Sequence, residues 1–313
     1  MISFGPVPSR RLGKSLGINN IISPKACSYG CIYCQVGKTT RKSIKRETFF
    51  EPENIYNNVL QHIKKLTADN YPDYLTFVSN GEPTLDINLG RSIMLLKKTG
   101  IPVAVISNAS LLIYDSVKEE LGQADWVSLK MDAGTGKTWN LINCPAEGLD
   151  FEKHLENIIQ FAGNYKGLLR TESMLVDGIN DSEEELLIIA RLIKIINPGK
   201  AYLSVPIRPP AEKSVKPPDP EKLNRAWQIF TSENINTELL TGFEGSDTGF
   251  TGNIYEDILN ITAVHPLRED TLLKLLKKDN ADYQIVESLI NQKLIRQTFY
   301  KGKKFYLREY HIN

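Results

Sequence analysis

The stretch that decides the fold reads Cys27-Ser-Tyr-Gly-Cys31-Ile-Tyr-Cys34. The spacing C-x3-C-x2-C lets one short loop present three thiolates to a metal centre. A four-iron cube needs four ligands, so three cysteines leave one iron open to a substrate or cofactor. The remaining cysteine, Cys144, is far away in sequence. The loop therefore predicts a [4Fe–4S] cluster that takes part in chemistry, rather than one that only transfers electrons.

Two alternatives remain open for the same cysteines. A structural zinc site would need a fourth protein ligand. The histidines all lie far from the loop in sequence, but Cys144 could be brought to it by folding. The third interpretation is that the cysteines are buried and bind no metal.

Composition is typical of a soluble globular protein. The chain has 313 residues, of which 41% are hydrophobic and 24% charged. It contains no apolar run long enough to span a bilayer and no signal-peptide pattern at its N-terminus. Cysteines clustered for metal binding favour a reducing compartment, so we expect a cytoplasmic protein.

Charge is distributed unevenly although the net charge is only +1. Residues 1–50 carry nine Lys or Arg and one acid, and residues 293–308 carry six basic residues and no acid. Basic ends permit an anionic substrate, including nucleic acid. A solvated lysine-rich surface is the simpler explanation.

Helical and strand-like segments alternate from about residue 53, which predicts βαβ units and a parallel sheet. Asp181, with Glu184 three residues later, predicts a helix N-terminus. About six units fall between residues 15 and 245, so we expect a partial barrel or an open α/β sheet with its active site at the carboxyl ends of the strands. The proline-rich segment 208–220 predicts a loop, which could lie across those strand ends. The predicted helices are 53–66, 87–98, 111–121, 151–161 and 181–196, and the predicted strands are 74–79, 101–107, 126–131, 168–176 and 201–207.

The last portion of the chain has a different pattern. Three short helical segments are followed by two strand-like runs around a turn at Lys301-Gly302, an order typical of a winged helix-turn-helix. We place a boundary near residue 247, which gives domains 1–246 and 247–313. Basic and aromatic residues alternate on the predicted wing, which suits RNA or DNA, although wing aromatics are often core residues. The helical segments are 253–261, 267–276 and 285–291, and the wing residues are Phe299, Tyr300, Lys301, Lys303, Lys304, Phe305 and Tyr306.

The cysteine loop, with Tyr33 just before its last cysteine, resembles the signature of radical S-adenosylmethionine (SAM) enzymes. Residues 80–84, Asn-Gly-Glu-Pro-Thr, resemble the glycine–glutamate motif of that family, which binds the SAM amino group. The resemblance covers most of residues 1–245 and implies a partial (β/α)6 barrel with a small winged-helix-like domain behind it. Further motifs, at residues 4–13, 175–181 and 207–210, are similar to a little-characterised branch related to wyosine-type tRNA synthases. Those synthases carry extra cysteines for a second cluster, for which this chain retains only Cys144.

The resemblance implies a mechanism and partners. The open iron would chelate the amino and carboxylate groups of SAM, and an electron from the cluster would release a 5′-deoxyadenosyl radical that takes a hydrogen atom from substrate. The implied cofactors are a [4Fe–4S] cluster and SAM. The implied partners are an electron donor such as ferredoxin or flavodoxin and an unidentified substrate, with tRNA as one candidate. A rival hypothesis of another class is a metal-sensing winged-helix regulator that binds DNA without catalysis.

The resemblance also assigns candidate site residues. Cys27, Cys31 and Cys34 would bind the cluster, and Glu82 would accept a hydrogen bond from the SAM ammonium. Glu172 lies in an apolar strand and should be paired, with Arg170 or Lys130 as candidates. The other expected cofactor contacts are Tyr33, Asn80, Gly81, Ser107, Asn108, Lys130 and Asp132. Each of these residues also has a purely structural explanation, as part of a turn, a polar strand end, a salt bridge or an aromatic core.

Four further residues are candidates for the substrate. Arg10, Arg11 and Arg208 could bind an anionic group, because arginine matches phosphate or carboxylate bidentately. Cys144 could donate a hydrogen atom or bind a metal. Surface arginines and an inert thiol are the alternatives.

Overall fold

An eight-stranded sheet organises most of the chain in the computed structural model, which describes residues 2–22 and 24–309. The strands are β1 (Ser3–Ser9), β2 (Gly13–Ile18), β3 (Ala26–Cys27), β4 (Arg41–Lys42), β5 (Tyr74–Phe77), β6 (Val103–Ser107), β7 (Trp126–Lys130), β8 (Leu168–Met174), β9 (Lys200–Ser204), β10 (Thr237–Leu240), β11 (Leu267–Arg268), β12 (Ile295–Tyr300) and β13 (Lys303–Arg308). The helices are α1 (Pro52–Lys65), α2 (Leu89–Lys97), α3 (Asp115–Leu121), α4 (Gly136–Asn143), α5 (Phe151–Asn164), α6 (Glu183–Ile196), α7 (Pro220–Ser232), α8 (Ile254–Thr262), α9 (Glu269–Lys278) and α10 (Gln284–Asn291).

The large sheet has the order β1-β2-β5-β6-β7-β8-β9-β10. Each pair from β2 to β10 is parallel, and only β1 runs antiparallel to its neighbour. Helices connect successive parallel strands, as βαβ connections require. The sheet curls into a half-barrel, which confirms the predicted α/β partial barrel. The carboxyl ends of its strands therefore meet along one rim.

The first two strands form a hairpin that the sequence pattern does not reveal. Pro6 and Pro8 interrupt the apolar alternation of β1, and the pairing register shifts between Phe4 and Val7. Proline is tolerated here because β1 is an edge strand. The pattern also misses α4, α7 and β10.

The predicted cap of α6 is wrong by one residue. Ser182, not Asp181, is the N-cap, and its hydroxyl accepts a hydrogen bond from the backbone N–H of Glu185. Asp181 instead accepts a bond from the N–H of Gly178 and pairs with Lys222. The aspartate thus closes the preceding turn and ties it to α7.

Residues 254–308 form a C-terminal module with its own small sheet, of order β11-β13-β12, and three helices. Helices followed by a β-hairpin were predicted here, and the assignment of the module as winged-helix-like stays a prediction. The predicted boundary near residue 247 stays a prediction, and residues 310–313 of that predicted domain lie outside the described part of the chain. No helix in residues 2–22 and 24–309 has both the length and the apolar character needed to cross a membrane.

The core of the module is completed by the opposite end of the chain. Phe4 and Val7 of β1 are buried in the same apolar cluster as Ile258 of α8 and Tyr306 of β13. The Phe4 ring also occupies the space that a Cβ on Gly17 would need, since its nearest ring atom lies 2.2 Å from that position. Phe4 therefore joins the hairpin to the module.

We expect Phe4→Ala to lower the free energy of unfolding by about 3–5 kcal/mol, the usual cost of truncating a buried phenylalanine. It should also speed proteolysis within residues 254–309, because the module would lose part of its core. Urea unfolding and limited proteolysis measure the two effects.

Phe299→Ala is the matched control, because Phe299 is 70% exposed and should cost no more than about 0.5 kcal/mol. Equal losses in the two variants would show that Phe4 does not anchor the module.

Candidate active site

The cysteine loop begins on β3 and is covered by the segment that follows it. β3 pairs in parallel with β4, with Cys27 opposite Lys42. The other side of the loop contacts the end of α4. There the backbone N–H of Gly30 donates to the carbonyl oxygens of Asn143 and Cys144 at 2.9 and 3.1 Å. The loop conformation is thus fixed by backbone bonds on both sides.

Each sulfur of the loop has a nitrogen donor beside it. Lys25 Nζ lies 3.1 Å from Cys34 Sγ, Asn143 Nδ2 lies 3.5 Å from Cys31 Sγ, and Asn108 Nδ2 lies 3.7 Å from Cys27 Sγ. Such donors stabilise negative charge on the sulfurs of a cluster and thereby tune the reduction potential of that cluster.

Burial governs the protonation of the thiols themselves. It raises the pKa of Cys31 to about 12, helped by the nearby Asp132 carboxylate. Burial likewise raises the pKa of Cys27 well above its usual value, although Lys25 opposes this. Metal binding must therefore displace protons from these thiols, and the surrounding donors then stabilise the thiolates.

The zinc alternative finds no preformed site in the described part of the chain. In residues 2–22 and 24–309, no three His, Cys, Asp or Glu side chains are grouped closely enough to hold one metal ion. A structural zinc site would need four protein ligands about 2.0–2.3 Å from the metal.

The Asn-Gly-Glu-Pro segment packs directly beneath the cysteine loop. A Cβ on Gly81 would lie 1.7 Å from the carbonyl oxygen of Ala26, so only glycine permits this approach. The same oxygen accepts a hydrogen bond from the N–H of Glu82 at 3.1 Å. Gly81 therefore sets the position of the residue just before Cys27.

The Glu82 carboxylate is buried and accepts four hydrogen bonds from its own chain. Its oxygens accept from the N–H and hydroxyl of Thr84, the hydroxyl of Ser107 and the N–H of Asn108, at 2.7–3.1 Å. Three of these bonds go to Oε1 and one to Oε2, so Oε2 can still accept a further donor. In this structure Glu82 ties the turn to the end of β6, and its assignment to the SAM ammonium stays a prediction.

Asn108 and Asp132 serve the loop in a similar way. The Asn108 amide donates to Ser28 Oγ at 2.9 Å as well as facing Cys27. Asp132 accepts from the hydroxyl of Tyr33 and from Asn143 Nδ2, the latter at 2.8 Å. Residues at the ends of β6 and β7 therefore orient the cysteine loop. Contact of Asn108 and Asp132 with SAM stays a prediction.

A cavity of about 260 Å³ opens beside the loop, at the carboxyl ends of the strands. Five charged side chains line the cavity. The cations are Arg11, Lys130 and Arg208, and the carboxylates are Glu172 and Glu244. Predicted site residues that line the cavity are Arg11, Tyr33, Cys34, Lys130, Glu172 and Arg208.

Glu172 is the centre of a buried charge network in this cavity. It accepts from Arg11, from Lys130 Nζ at 2.9 Å and from Ser204 Oγ at 2.9 Å. Burial alone would raise the pKa of Glu172, but the two cations outweigh it and hold that pKa at about 2. The predicted pairing with Lys130 is confirmed. The alternative partner, Arg170, instead donates to the Leu169 carbonyl oxygen.

A second network, not anticipated from the sequence, joins the cysteine loop to the C-terminal module. Arg208 donates to Gln35 Oε1 at 3.2 Å, to Glu244 Oε2 at 2.8 Å and to His265 Nε2 at 3.0 Å. Burial, together with Arg208, lowers the pKa of His265 to about 3, so its imidazole is neutral and accepts this bond. The sequence offered one indication of this network, namely that Gln35 directly follows the cluster ligand candidate Cys34.

Three predicted residues whose side chains make none of the contacts described above also lie outside the cavity. Arg10 is exposed and reaches the Leu239 carbonyl oxygen at 3.5 Å. Cys144 ends α4 with a positive φ of 45°, and its sulfur faces the Leu141 carbonyl oxygen at 3.7 Å. Asn80 Oδ1 is buried without a partner, but it lines a different cavity, between the barrel rim and the module. The structure thus does not bring these side chains to Cys34.

Comparison with known proteins identifies the family. The model of the radical SAM superfamily matches residues 21–190, more than half of the chain, which include the cysteine loop, the Asn-Gly-Glu-Pro segment and Glu172. The chain belongs to the radical SAM superfamily. Its members bind a [4Fe–4S] cluster and SAM, which are therefore its cofactors, and the thiols and donors around the loop fit that cluster.

Two curated relatives share most of their length with the chain. A UPF0026 protein of Methanocaldococcus jannaschii is 45% identical over 98% of this chain and 96% of its own. A UPF0026 protein of Helicobacter pylori is 38% identical over 71% of each. The chain is thus also a member of the UPF0026 family.

Solved structures agree with the fold. A radical SAM methyltransferase from Sphaerobacter thermophilus superposes with a TM-score of 0.54 at 15% identity, over 72% of this chain and 66% of its own. TYW1 with a lysine–pyruvate adduct covers 96% of this chain and 82% of its own, with a TM-score of 0.48 at 15% identity. The first likeness supports the fold alone, and the second is too weak to bear on the substrate.

The Glu172 network leads to a stability prediction. We expect Glu172→Gln to lower the free energy of unfolding at pH 7 by about 3–5 kcal/mol, because it leaves two buried cations without their partner. The difference from wild type should hold above pH 5 and shrink as pH falls towards 2. A carboxyl whose pKa is lowered by folding contributes stability above its unfolded pKa and loses it on protonation.

Urea unfolding between pH 3 and 8 measures this dependence. Glu238→Gln is the control, because Glu238 pairs with Lys200 at a partly exposed position and should cost no more than about 1 kcal/mol. A pH-independent difference between wild type and Glu172→Gln would contradict the proposed charge network.

Proposed function

We propose that this chain is an enzyme that binds a [4Fe–4S] cluster through Cys27, Cys31 and Cys34 and cleaves SAM reductively beside it. The observation that carries the proposal is the position of the loop: Cys34 lines the strand-end cavity, next to a buried network with one more cation than carboxylates around Glu172. When bound, the two cofactors supply a radical able to remove a hydrogen atom from substrate.

The protein residues would have supporting roles. Lys25, Asn108 and Asn143 stabilise charge on the sulfurs, and Gly81 and Glu82 fix the loop in place. Arg11 and Lys130 place two cations against the single carboxylate of Glu172 in the cavity wall, which favours an anionic group there, such as the SAM carboxylate. Walls contributed by Val264 and His265 of the C-terminal module help to exclude water.

Anaerobic reconstitution tests this proposal. The wild-type protein should bind about four irons, absorb as a brown cluster, and form 5′-deoxyadenosine from SAM with dithionite. Cys27→Ala should lose both iron and product, because two thiolates cannot hold the cube.

Cys144→Ala is the control and should keep both properties, because its sulfur lies outside the cavity. A colourless wild-type protein, or one that binds stoichiometric zinc in preference to iron, would contradict the proposal.

We further propose that the substrate is an RNA, with tRNA as the first candidate. A cleft of about 170 Å³ lies between the barrel and the wing of the module, and its lining is basic and aromatic. Arg208 lines both this cleft and the cavity beside Cys34. A strand held in the cleft could therefore place one nucleotide near the cluster. The lining residues are Ile207, Arg208, Thr241, Phe243, Arg268, Tyr300, Lys301, Lys303 and Phe305.

The charges and rings of the cleft support this class of ligand. Arg208 and Arg268 have acidic partners, whereas Lys301 and Lys303 have no ion pair within the described part of the chain. The guanidinium of Arg268 lies 3.3 Å from the centre of the partly exposed Phe243 ring. Cations without an ion pair suit phosphates, and an arginine–aromatic pair suits a stacked base.

The docking of the wing also weighs against the regulator hypothesis. The Tyr300 hydroxyl donates to the Pro206 carbonyl oxygen at 2.9 Å, so the tip of the wing, next to its turn, is attached to the barrel. Lys304 is engaged with Glu269, and Phe305 and Tyr306 are core residues. This attachment supports a role for the wing beside the cavity rather than on separate DNA.

We expect Lys301→Glu combined with Lys303→Glu to weaken binding of a fluorescein-labelled tRNA transcript by about tenfold or more at 0.1 M salt, and to flatten the salt dependence of binding. Fluorescence anisotropy measures both. Lys64→Glu combined with Lys277→Glu makes the same charge change at exposed positions on α1 and α9 and should have little effect.

Equal weakening by both pairs would show non-specific attraction and overturn the cleft assignment. Dithionite-driven formation of 5′-deoxyadenosine should be the same in all these variants, which separates failure of the RNA proposal from failure of the SAM chemistry.

We also propose that a ferredoxin- or flavodoxin-type protein reduces the cluster, and that the enzyme works in the cytoplasm. All four cysteines are free thiols, which fits a reducing compartment.

A further inference from the structure

The segment that covers the cysteine loop has a surface charge that the SAM chemistry does not use. We propose that residues 37–45, here called the strap, form the docking surface for an acidic one-electron donor protein. This inference rests on the proposed cluster chemistry and identifies where the electron enters.

The strap is attached directly to the cysteine loop. The backbone N–H of Ser43 donates to the Cys27 carbonyl oxygen at 3.1 Å, and the Thr39 hydroxyl donates to the Tyr29 carbonyl oxygen at 2.8 Å. Lys25 joins the two, because its Nζ contacts both the Gly37 carbonyl oxygen at 2.6 Å and Cys34 Sγ at 3.1 Å.

The strap is also thin. β4 is its central part, with Lys42 exposed and its backbone opposite Cys27 in the parallel ladder. Neighbouring strands lie about 4.8 Å apart. A protein that touches the outer edge of β4 is therefore separated from a cluster ligand by one strand, which makes this face a short route for an electron.

The surface of the strap is strongly basic. It contains four cations, Lys38, Arg41, Lys42 and Lys45, all exposed, and no acidic residue. Lys38 pairs with Glu212 and Arg41 with Glu47 at positions open to solvent, where such pairs are weak. Lys42 and Lys45 have no ion pair with any described residue.

This charge pattern fits a transient partner of opposite sign. Electron-transfer encounters use small interfaces, and complementary charge raises their association rate. In the step itself, one electron passes from the reduced donor, which is oxidised by one electron, to the oxidised cluster, which is reduced by one. No bond is made or broken and no proton is transferred.

The test uses the reconstituted full-length protein and, as probe, a purified flavodoxin with a strongly acidic surface. We expect Lys42→Glu combined with Lys45→Glu to raise the Kd for oxidised flavodoxin, measured by calorimetry, by about tenfold or more at low ionic strength. The second-order rate of cluster reduction by reduced flavodoxin, followed by stopped-flow absorbance, should fall by a similar factor.

The conservative pair Lys42→Arg with Lys45→Arg should retain both values, because it keeps the charge. The control pair Lys64→Glu with Lys277→Glu, which changes net charge equally on α1 and α9, should change the Kd by no more than about twofold. Raising the salt concentration should bring wild type and the strap variant together, because screening removes the attraction.

Reduction by dithionite separates the two proposals. If dithionite yields 5′-deoxyadenosine equally in wild type and the strap variant, the SAM chemistry stands, and an unchanged flavodoxin Kd would overturn the docking surface alone. Equal weakening in the strap variant and the control pair would also overturn it. Absence of product from wild type with dithionite would instead reject the proposed function.

Discussion

The contact between Gly81 and the Ala26 carbonyl oxygen is the constraint on which the rest of the site depends. It allows the Asn-Gly-Glu-Pro turn to lie directly under the cysteine loop, with no side chain between the two backbones. Glu82 then closes the arrangement from the other side, because its carboxylate gathers donors from the turn and from the end of β6. Two neighbouring strand ends and the loop thereby become one hydrogen-bonded unit. A radical enzyme benefits from such a support, since the cluster, the cofactor and the target carbon must keep a fixed geometry.

Charge is organised around this unit in two layers. Inside, Glu172 and Glu244 each neutralise an arginine that would otherwise be buried alone, and Lys130 supplies the excess positive charge. Outside, the strap carries four cations, two of which have no ion pair with a described residue. Under the two proposals, the same net sign would serve different purposes on the two sides of the loop. The inner charge would favour a small anionic group, whereas the outer charge would act over the longer range that steers one protein to another.

Much of the fold could be predicted from the sequence because the βαβ pattern is local. The strands from β5 to β9 follow from short apolar runs, and the C-terminal helices follow from their spacing. The cysteines and the glycine–glutamate turn were recognisable because their residue types are dictated by chemistry. β1 was hidden by its prolines, and Arg208, Glu244 and His265 come together only through folding, from positions far apart in sequence. Glu172 lies between the residues that could be recognised from the sequence and those that only folding brings together. A carboxylate in an apolar strand had to be paired, and one of its partners was identified, but Arg11 could not be foreseen without the hairpin.

The participation of Phe4 and Val7 in the core of the module has a consequence for how the chain is made. β1 is synthesised before the barrel strands, whereas β12 and β13 are synthesised after them. Domains usually fold in order of synthesis, but this core unites segments from both sides of the barrel, so it cannot close until β13 has been made. The barrel strands can pair earlier, with the apolar side chains of β1 still uncovered. The wall that the module contributes to the cavity is therefore the last part of the active site to be put in place.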